Sequence, residues 1–150
     1  MLFRIAEEGD IDALARIRAR EWGDVPYWQH RIFQYLSGGA NPQQALAARG
    51  CYVAVEEESV VGFVAGHLTR RYGCQGELEW INVIPESRKK NVASELLRMM
   101  AGWFVEREAL RICVDVEPSN AAARAFYRRH GAEDLNPHWL VWHDIRAVLK

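Results

Sequence analysis

Two stretches of this sequence set ionisable and polar side chains where they could act on one ligand. In the first, Trp80–Leu97 (WINVIPESRKKNVASELL), a strand-like run stops at Pro85, and Arg88-Lys89-Lys90-Asn91-Val92-Ala93-Ser94 opens a long amphipathic helix. The first turn of a helix carries unpaired N–H groups and the positive end of its dipole, which together bind phosphate. Arg88, Lys89 and Lys90 add formal charge there, and Ala93 is small enough for a ligand to reach the backbone. The bland reading is a capped surface helix, yet basic residues in a first turn oppose the dipole and want another reason. The run is no P-loop, and no G-x-G-x-x-G occurs anywhere.

The second stretch, Val114–Gly131, places Asn120 and Tyr127 seven residues apart on a helix, pointing within roughly 20° of each other. Both can therefore face one ligand. Three acids are acid–base candidates: Glu77 and Glu79 ahead of the first stretch, and Asp115 inside Val114-Asp115-Val116. Strand side chains alternate, so Glu77 and Glu79 are expected on one face. For each acid a solvated or salt-bridged carboxylate remains the alternative.

Residues 88–93 resemble the acyl-CoA-binding motif of the GNAT acetyltransferase superfamily, Q/R-x-x-G-x-G/A, which follows a strand and a V-x-P turn. Arg88, Val92 and Ala93 fit. Asn91 stands where the first glycine normally sits, and Asn is the non-glycine residue that best tolerates a left-handed backbone. Residues 120–132 are similar to the superfamily's N-x-x-A-x-x-F/L-Y-x-x-x-G-F signature at every position but the last, where Ala132 replaces the aromatic.

The resemblance implies one GNAT domain over residues 1–150, with an α/β (α+β) fold: a mixed, mostly antiparallel sheet of six to seven strands flanked by about four helices. It implies an N-acetyltransferase that moves acetyl from acetyl-CoA directly to a primary amine of a small molecule, peptide or protein. The residues from Arg88 to Ser94 would then hold the diphosphate and Asn120 the CoA arm. Tyr127 would protonate the departing thiolate, and backbone N–H groups of Ile81, Asn82 and Val83 would polarise the thioester if the strand splays there. Asp115 lies twelve residues before Tyr127, a spacing similar to the acid–base pair of members that acetylate protein N-termini. Trp22–Trp28 (WGDVPYW) falls where the superfamily builds its acceptor pocket and could form an apolar, partly acidic mouth; core packing explains it equally well. The alternative is a non-catalytic acyl-CoA-binding module that senses or regulates, which Asn91 keeps open. Homodimers are frequent in the superfamily, so a homodimer is one open state.

An acceptor amine must be neutral to attack. At pH 7 a lysine-type amine is neutral roughly once in 2,500 and an α-amine about once in ten. A base, typically worth ~10²–10⁴-fold, therefore matters most for alkyl amines.

These side chains need strands and helices to hold them. Met1–Ala6 reads as an opening strand. Ile11, Leu14, Ala15, Ile17 and Arg18 then recur at helical spacing behind Asp10 as N-cap. A second helix is expected within Pro26–Leu36, stopped by Ser37-Gly38-Gly39, and a short third one from Pro42 up to Gly50. Cys51–Val55 and Val60–Leu68 read as an antiparallel hairpin. After a loop at Arg70–Gly76 come a strand (Glu77–Ile84), a helix (Val92–Ala109), a strand (Arg111–Val116), a helix (Asn120–His130) and a last strand (Trp139–Ile145).

Composition narrows the classes. With 49% hydrophobic and 26% charged residues, the chain is ordinary for a globular protein and needs neither disulfides nor metal to build a core. A net charge of −1 argues against a bulk electrostatic hold on nucleic acid or an anionic membrane. No signal peptide or apolar run of about 18 residues is present, so no membrane crossing is expected. Three cysteines without C-x-x-C spacing suggest a reducing cytoplasm and free thiols. Five histidines show no H-x-x-x-H or H-E-x-x-H pairing, so no metal is expected.

Overall fold

Runs rich in β-branched residues, separated by helical stripes, assemble into one seven-stranded sheet. The computed structural model describes residues 1–150. In chain order the elements are β1 (Leu2–Ile5), α1 (Ile11–Ala19), α2 (Val25–Ser37), β2 (Ala45–Glu56), β3 (Ser59–Thr69), β4 (Gly76–Val83), α3 (Val92–Glu106), β5 (Ile112–Asp115), α4 (Ala121–Arg129), β6 (Glu133–Asn136) and β7 (Trp139–Trp142). Strand order is β1-β2-β3-β4-β5-β7-β6, antiparallel throughout except for β4–β5. This is the expected mixed, mostly antiparallel α/β (α+β) sheet with four helices. α3 joins β4 to β5, and such a helical crossover is what a parallel pair requires. No helix is long and apolar enough to cross a membrane.

Each sheet face has its own core. On one, Leu14, Trp28, Ile32 and Tyr35 of α1 and α2 meet Val53, Phe63, Ala65 and Trp80. On the other, Leu96, Leu97, Met100 and Phe104 of α3 meet Val64, Leu78 and Ile112, and Tyr127 joins from α4. Each large apolar side chain fully buried this way stabilises by roughly 1.5–3 kcal/mol. Glycines let α3 sit close to the sheet. A Cβ at Gly66 would lie 2.8 Å from the Glu77 carbonyl and 2.9 Å from Met100 Cε, and one at Gly50 would lie 2.7 Å from the Trp103 ring.

Two irregularities in β4 break the regularity of the sheet. Its register with β3 steps from Ala65↔Trp80 to Gly66↔Leu78, which leaves Glu79 as the extra residue of a β-bulge. Its pairing with β5 runs only from Gly76↔Ile112 to Leu78↔Val114. Beyond Leu78 the β5-facing edge of β4 has no strand partner, so the two strands splay.

Local expectation fails in five places. Residues 45–50 are not a helix but the first half of β2, with Ala45 opposite Thr69 and Arg49 opposite His67. Ala and Leu favour helix only weakly, and ladder pairing overrides that preference. β6, with sequence Glu133-Asp134-Leu135-Asn136, lacks β-forming residues and exists because β7 pairs with it at the sheet edge. The last strand ends at Trp142, and Ile145–Leu149 turns as a 3₁₀ helix whose Ile145 and Val148 enter the α3 core. α3 itself stops at Glu106, before a left-handed Glu108. Asp10 makes no side-chain cap on α1; its carboxylate accepts instead from Arg4 at 2.8 and 2.9 Å and from the Glu7 amide at 2.7 Å. All three cysteines are free.

Candidate active site

The splay between β4 and β5 opens a groove of about 1030 Å³. From β4 come Glu77, Glu79, Ile81, Asn82 and Val83; from β5, Asp115; from the start and body of α4, Asn120 and Tyr127; from the approach to α3, Arg88 and Ala93. All three candidate acids and both residues of the α4 face thus border one space. Lys89, Lys90, Asn91, Val92 and Ser94 do not line it. Val92 is in the core. The Lys90 ammonium pairs with Glu56 at 3.3 Å, and Ser94 Oγ lies 3.0 Å from His130 Nε2. Arg88 donates from Nε to the Val83 carbonyl at 3.0 Å and approaches Glu21 at 3.6 Å.

The turn into α3 keeps its amides available. Lys89 and Asn91 both take left-handed backbone, with φ of 68° and 60°. Asn91 is the N-cap of α3, yet its side chain makes no capping bond, so the first-turn N–H groups await an outside acceptor. Asn120 behaves differently: its Oδ1 caps α4 by accepting from the Ala123 amide at 3.1 Å. Its Nδ2 donors are left for a ligand.

Tyr127 is 6% exposed, with its ring edge-on to Trp142 at 5.6 Å and to Phe126 at 5.5 Å. Burial pushes its phenol well above the usual tyrosine range, because a phenolate would lose its hydration. Tyr127 therefore stands protonated, as a donor.

The three acids differ. Glu77 is buried, and its Oε1 accepts from Arg71 Nε at 3.1 Å. Glu79 has no such partner; its closest cationic-type neighbour is His67 Nδ1 at 3.9 Å. Burial and then the nearby Glu77 charge raise its affinity for a proton. Burial also raises Asp115, which His138 partly offsets. Glu77 and Glu79 reach the same place, though not by simple alternation. The bulge at Glu79 intervenes, so that Leu78 enters the α3 core while Trp80, two residues on, enters the α1–α2 core.

Sequence reasoning missed two polar side chains at the groove, His67 and Arg18. His67 is fully buried behind the glutamates, with Nδ1 2.7 Å from the Tyr35 hydroxyl and Nε2 3.6 Å from Glu77. Donor atoms of His67, Glu77 and Glu79 lie within 4.8 Å of one another, a set able to hold a cation that local spacing could not reveal. Arg71 and Tyr35 already engage two of the three, which suits a proton-handling network better than a metal seat. Arg18, which the sequence shows only as part of a helical stripe, lines the groove. A charged residue on the buried face of α1 was the available signal. In the WGDVPYW stretch Trp22 lines the groove and Trp28 is core. Asp24 is not part of the groove lining; it caps α2 by accepting from the Tyr27 amide at 2.8 Å.

The fold is thus a mixed sheet that splays between its two parallel strands, with the groove at the splay. Residues 11–132 match the Acetyltransferase (GNAT) family, and the chain belongs to that family. Among solved structures it is similar to an aminoglycoside antibiotic 6'-N-acetyltransferase from Acinetobacter haemolyticus, with a TM-score of 0.75 at 20% identity over 91% of this chain and 93% of that one. The ribosomal-protein-alanine N-acetyltransferase of Brucella melitensis gives 0.70 at 20% identity, covering 94% and 96%. The PaiA N-acetyltransferase of Thermoplasma acidophilum, in complex with coenzyme A, gives 0.67 at 14% identity, covering 94% and 98%. No curated protein matches the chain in sequence.

Proposed function

We propose that the chain is an N-acetyltransferase that passes the acetyl group of acetyl-CoA directly to a primary amine. One observation carries this reading: Glu79, the unpaired edge of β4 and Tyr127 border the same groove. A ligand lying along that groove would have a proton acceptor, a seat for its carbonyl and a proton donor on its walls. The residues fit the cosubstrate. The first turn of α3 is uncapped and suits a diphosphate, and the groove has room for an extended arm.

Acetyl-CoA supplies the activated acyl carbon. Glu79 takes the proton that the acceptor ammonium must lose, and the freed nitrogen lone pair forms the new N–C bond. Amides of Ile81–Val83 meet the charge that grows on the carbonyl oxygen. As the C–S bond breaks, Tyr127 hands its proton to the sulfur; the nitrogen, cationic again after attack, gives its second proton to solvent, from which Tyr127 is reprotonated. Arg71 engages Glu77 at 3.1 Å and leaves Glu79 unpaired, and burial, with the Glu77 charge second, makes Glu79 the more basic carboxylate. Positioning amine and thioester supplies about 7–11 kcal/mol, and the base ~10²–10⁴-fold more.

The fold does not choose the acceptor, since one similar structure is named for an aminoglycoside and another for a ribosomal-protein alanine. The test is calorimetric CoA binding followed by free-thiol release from acetyl-CoA across an amine panel, with products weighed by mass spectrometry. Amine-dependent release with a mono-acetylated product is expected. CoA binding without release from any amine would make the chain a binding module, and absence of CoA binding would overturn the reading.

A further inference from the structure

Arg18 is a cation set into the groove without an anion. Its guanidinium carbon stands 4.4 Å from the centre of the Trp28 ring and 5.9 Å from that of Trp80. One nitrogen donates to Asn82 Oδ1 at 3.1 Å, while Nε is sealed from solvent with no acceptor at all. The acids that could neutralise it are turned elsewhere. Glu21 approaches Arg88 at 3.6 Å, and Glu79 lies toward His67 at 3.9 Å. A half-buried guanidinium without a counter-charge is costly, and an anion meeting its terminal nitrogens from the groove would offset part of that cost. Its planar fork matches a carboxylate in particular, and the indole faces hold that fork in place.

We propose that Arg18 binds a carboxylate on the acceptor, which makes the substrate an amine that also carries a carboxylate, such as an amino acid or a peptide with an acidic residue. The inference rests on the transferase reading and adds the acceptor's class to it. Both ends of such a molecule find partners on the α1–α2 side of the groove. The ammonium goes to Glu79 and the carboxylate to Arg18, whose guanidinium stands 5.9 Å from the ring of Trp80, the residue after Glu79. Burial disfavours the charged form of Arg18, so the ion pair would form where water competes least. The two arginines nearest the site in other roles are already committed: Arg71 to Glu77 and Arg88 to Val83.

The test compares acceptors that differ only in the carboxylate. A series of ω-amino acids from glycine to 6-aminohexanoate is assayed against the matching carboxamides, and C-terminally amidated dipeptides with Asp at the second position against those with Asn. The two arms separate free amino acids from peptides. At least one pair should differ by about tenfold or more in kcat/KM, in favour of the carboxylate. Arg18→Gln should bring that ratio close to one by weakening the carboxylate member alone, with Arg18→Lys intermediate. Equal use of both members by the native chain would overturn the proposal without any variant. So would Arg18→Gln slowing both members alike, which would move Arg18 to the thioester or to the fold. Calorimetry of the same pairs on the CoA-bound protein gives a second readout. Arg18-dependent carboxylate binding without thiol release would sink the transferase reading and keep this site; no preferential carboxylate binding and no discrimination would sink the site.

Discussion

Removing one oxygen from Tyr127 separates chemistry from structure more cleanly than any other change in this groove. In Tyr127→Phe the ring keeps its contacts with Trp142 and Phe126 and remains part of the α3-side core. No hydrogen bond from the hydroxyl to the protein is lost, so stability should stay within about 0.5 kcal/mol of the native chain. The cost falls on sulfur departure, which loses its proton donor. General acids typically contribute ~10²–10⁴-fold, so the barrier should rise by roughly 2.7–5.4 kcal/mol. Thiol release at saturating acetyl-CoA and amine reads kcat, and calorimetry reads CoA affinity. The expected result is a kcat lower by at least about a hundredfold, with CoA affinity and melting temperature nearly unchanged. Equal losses in kcat and affinity would make Tyr127 a packing residue. An unchanged kcat would show that the thiolate leaves without it.

Glu79→Gln should flatten the rising limb of kcat/KM against pH, a limb whose midpoint lies above the ordinary carboxylate range because burial raises Glu79. The stability sign comes from the same shift: the folded chain holds this proton more tightly than the unfolded one. Native stability from Glu79 is thus full below about pH 4 and lost as pH rises through the folded value. Glu79→Gln should accordingly gain melting temperature over the native chain at about pH 8 but not at about pH 4, and the reverse order would refute the assignment. Asn91→Ala should lose about 1 kcal/mol in chemical denaturation while Asn91→Gly loses little, because only the left-handed φ of 60° is at stake; equal losses would point to the amide side chain instead. Gly66→Ala should cost about 1–3 kcal/mol, and several degrees of melting temperature, by pushing Met100 and Phe104 off the sheet.

The motif residues were legible because their chemistry is local. A strand, a proline and a basic turn announce the entry to α3, and seven-residue spacing announces the Asn120–Tyr127 face. Elements whose stability comes from partners were not legible. Ala45–Gly50 carries helix-forming residues and becomes strand because β3 lies beside it. β6 has almost no strand-forming side chains and is held by β7. The same distinction governs the site. Glu77 and Glu79 stand out as acids near a motif, but their relation to His67 depends on the β3–β4 register, which no short window contains. Arg18 was visible as an oddity on an apolar stripe, and only the tertiary structure shows what it faces.

The surplus residue at Glu79 changes how β4 must be counted. Before it, the odd-numbered Glu77 looks toward α2; after it, the even-numbered Trp80 and Asn82 do. A relative with a regular strand here, aligned to this one without a gap, would have every downstream position assigned to the opposite side. Deleting Glu79 itself would let Leu78 and Trp80 follow one another opposite Gly66 and Ala65, which regularises the ladder and takes one carboxylate out of the groove while the later β4 side chains keep their sides.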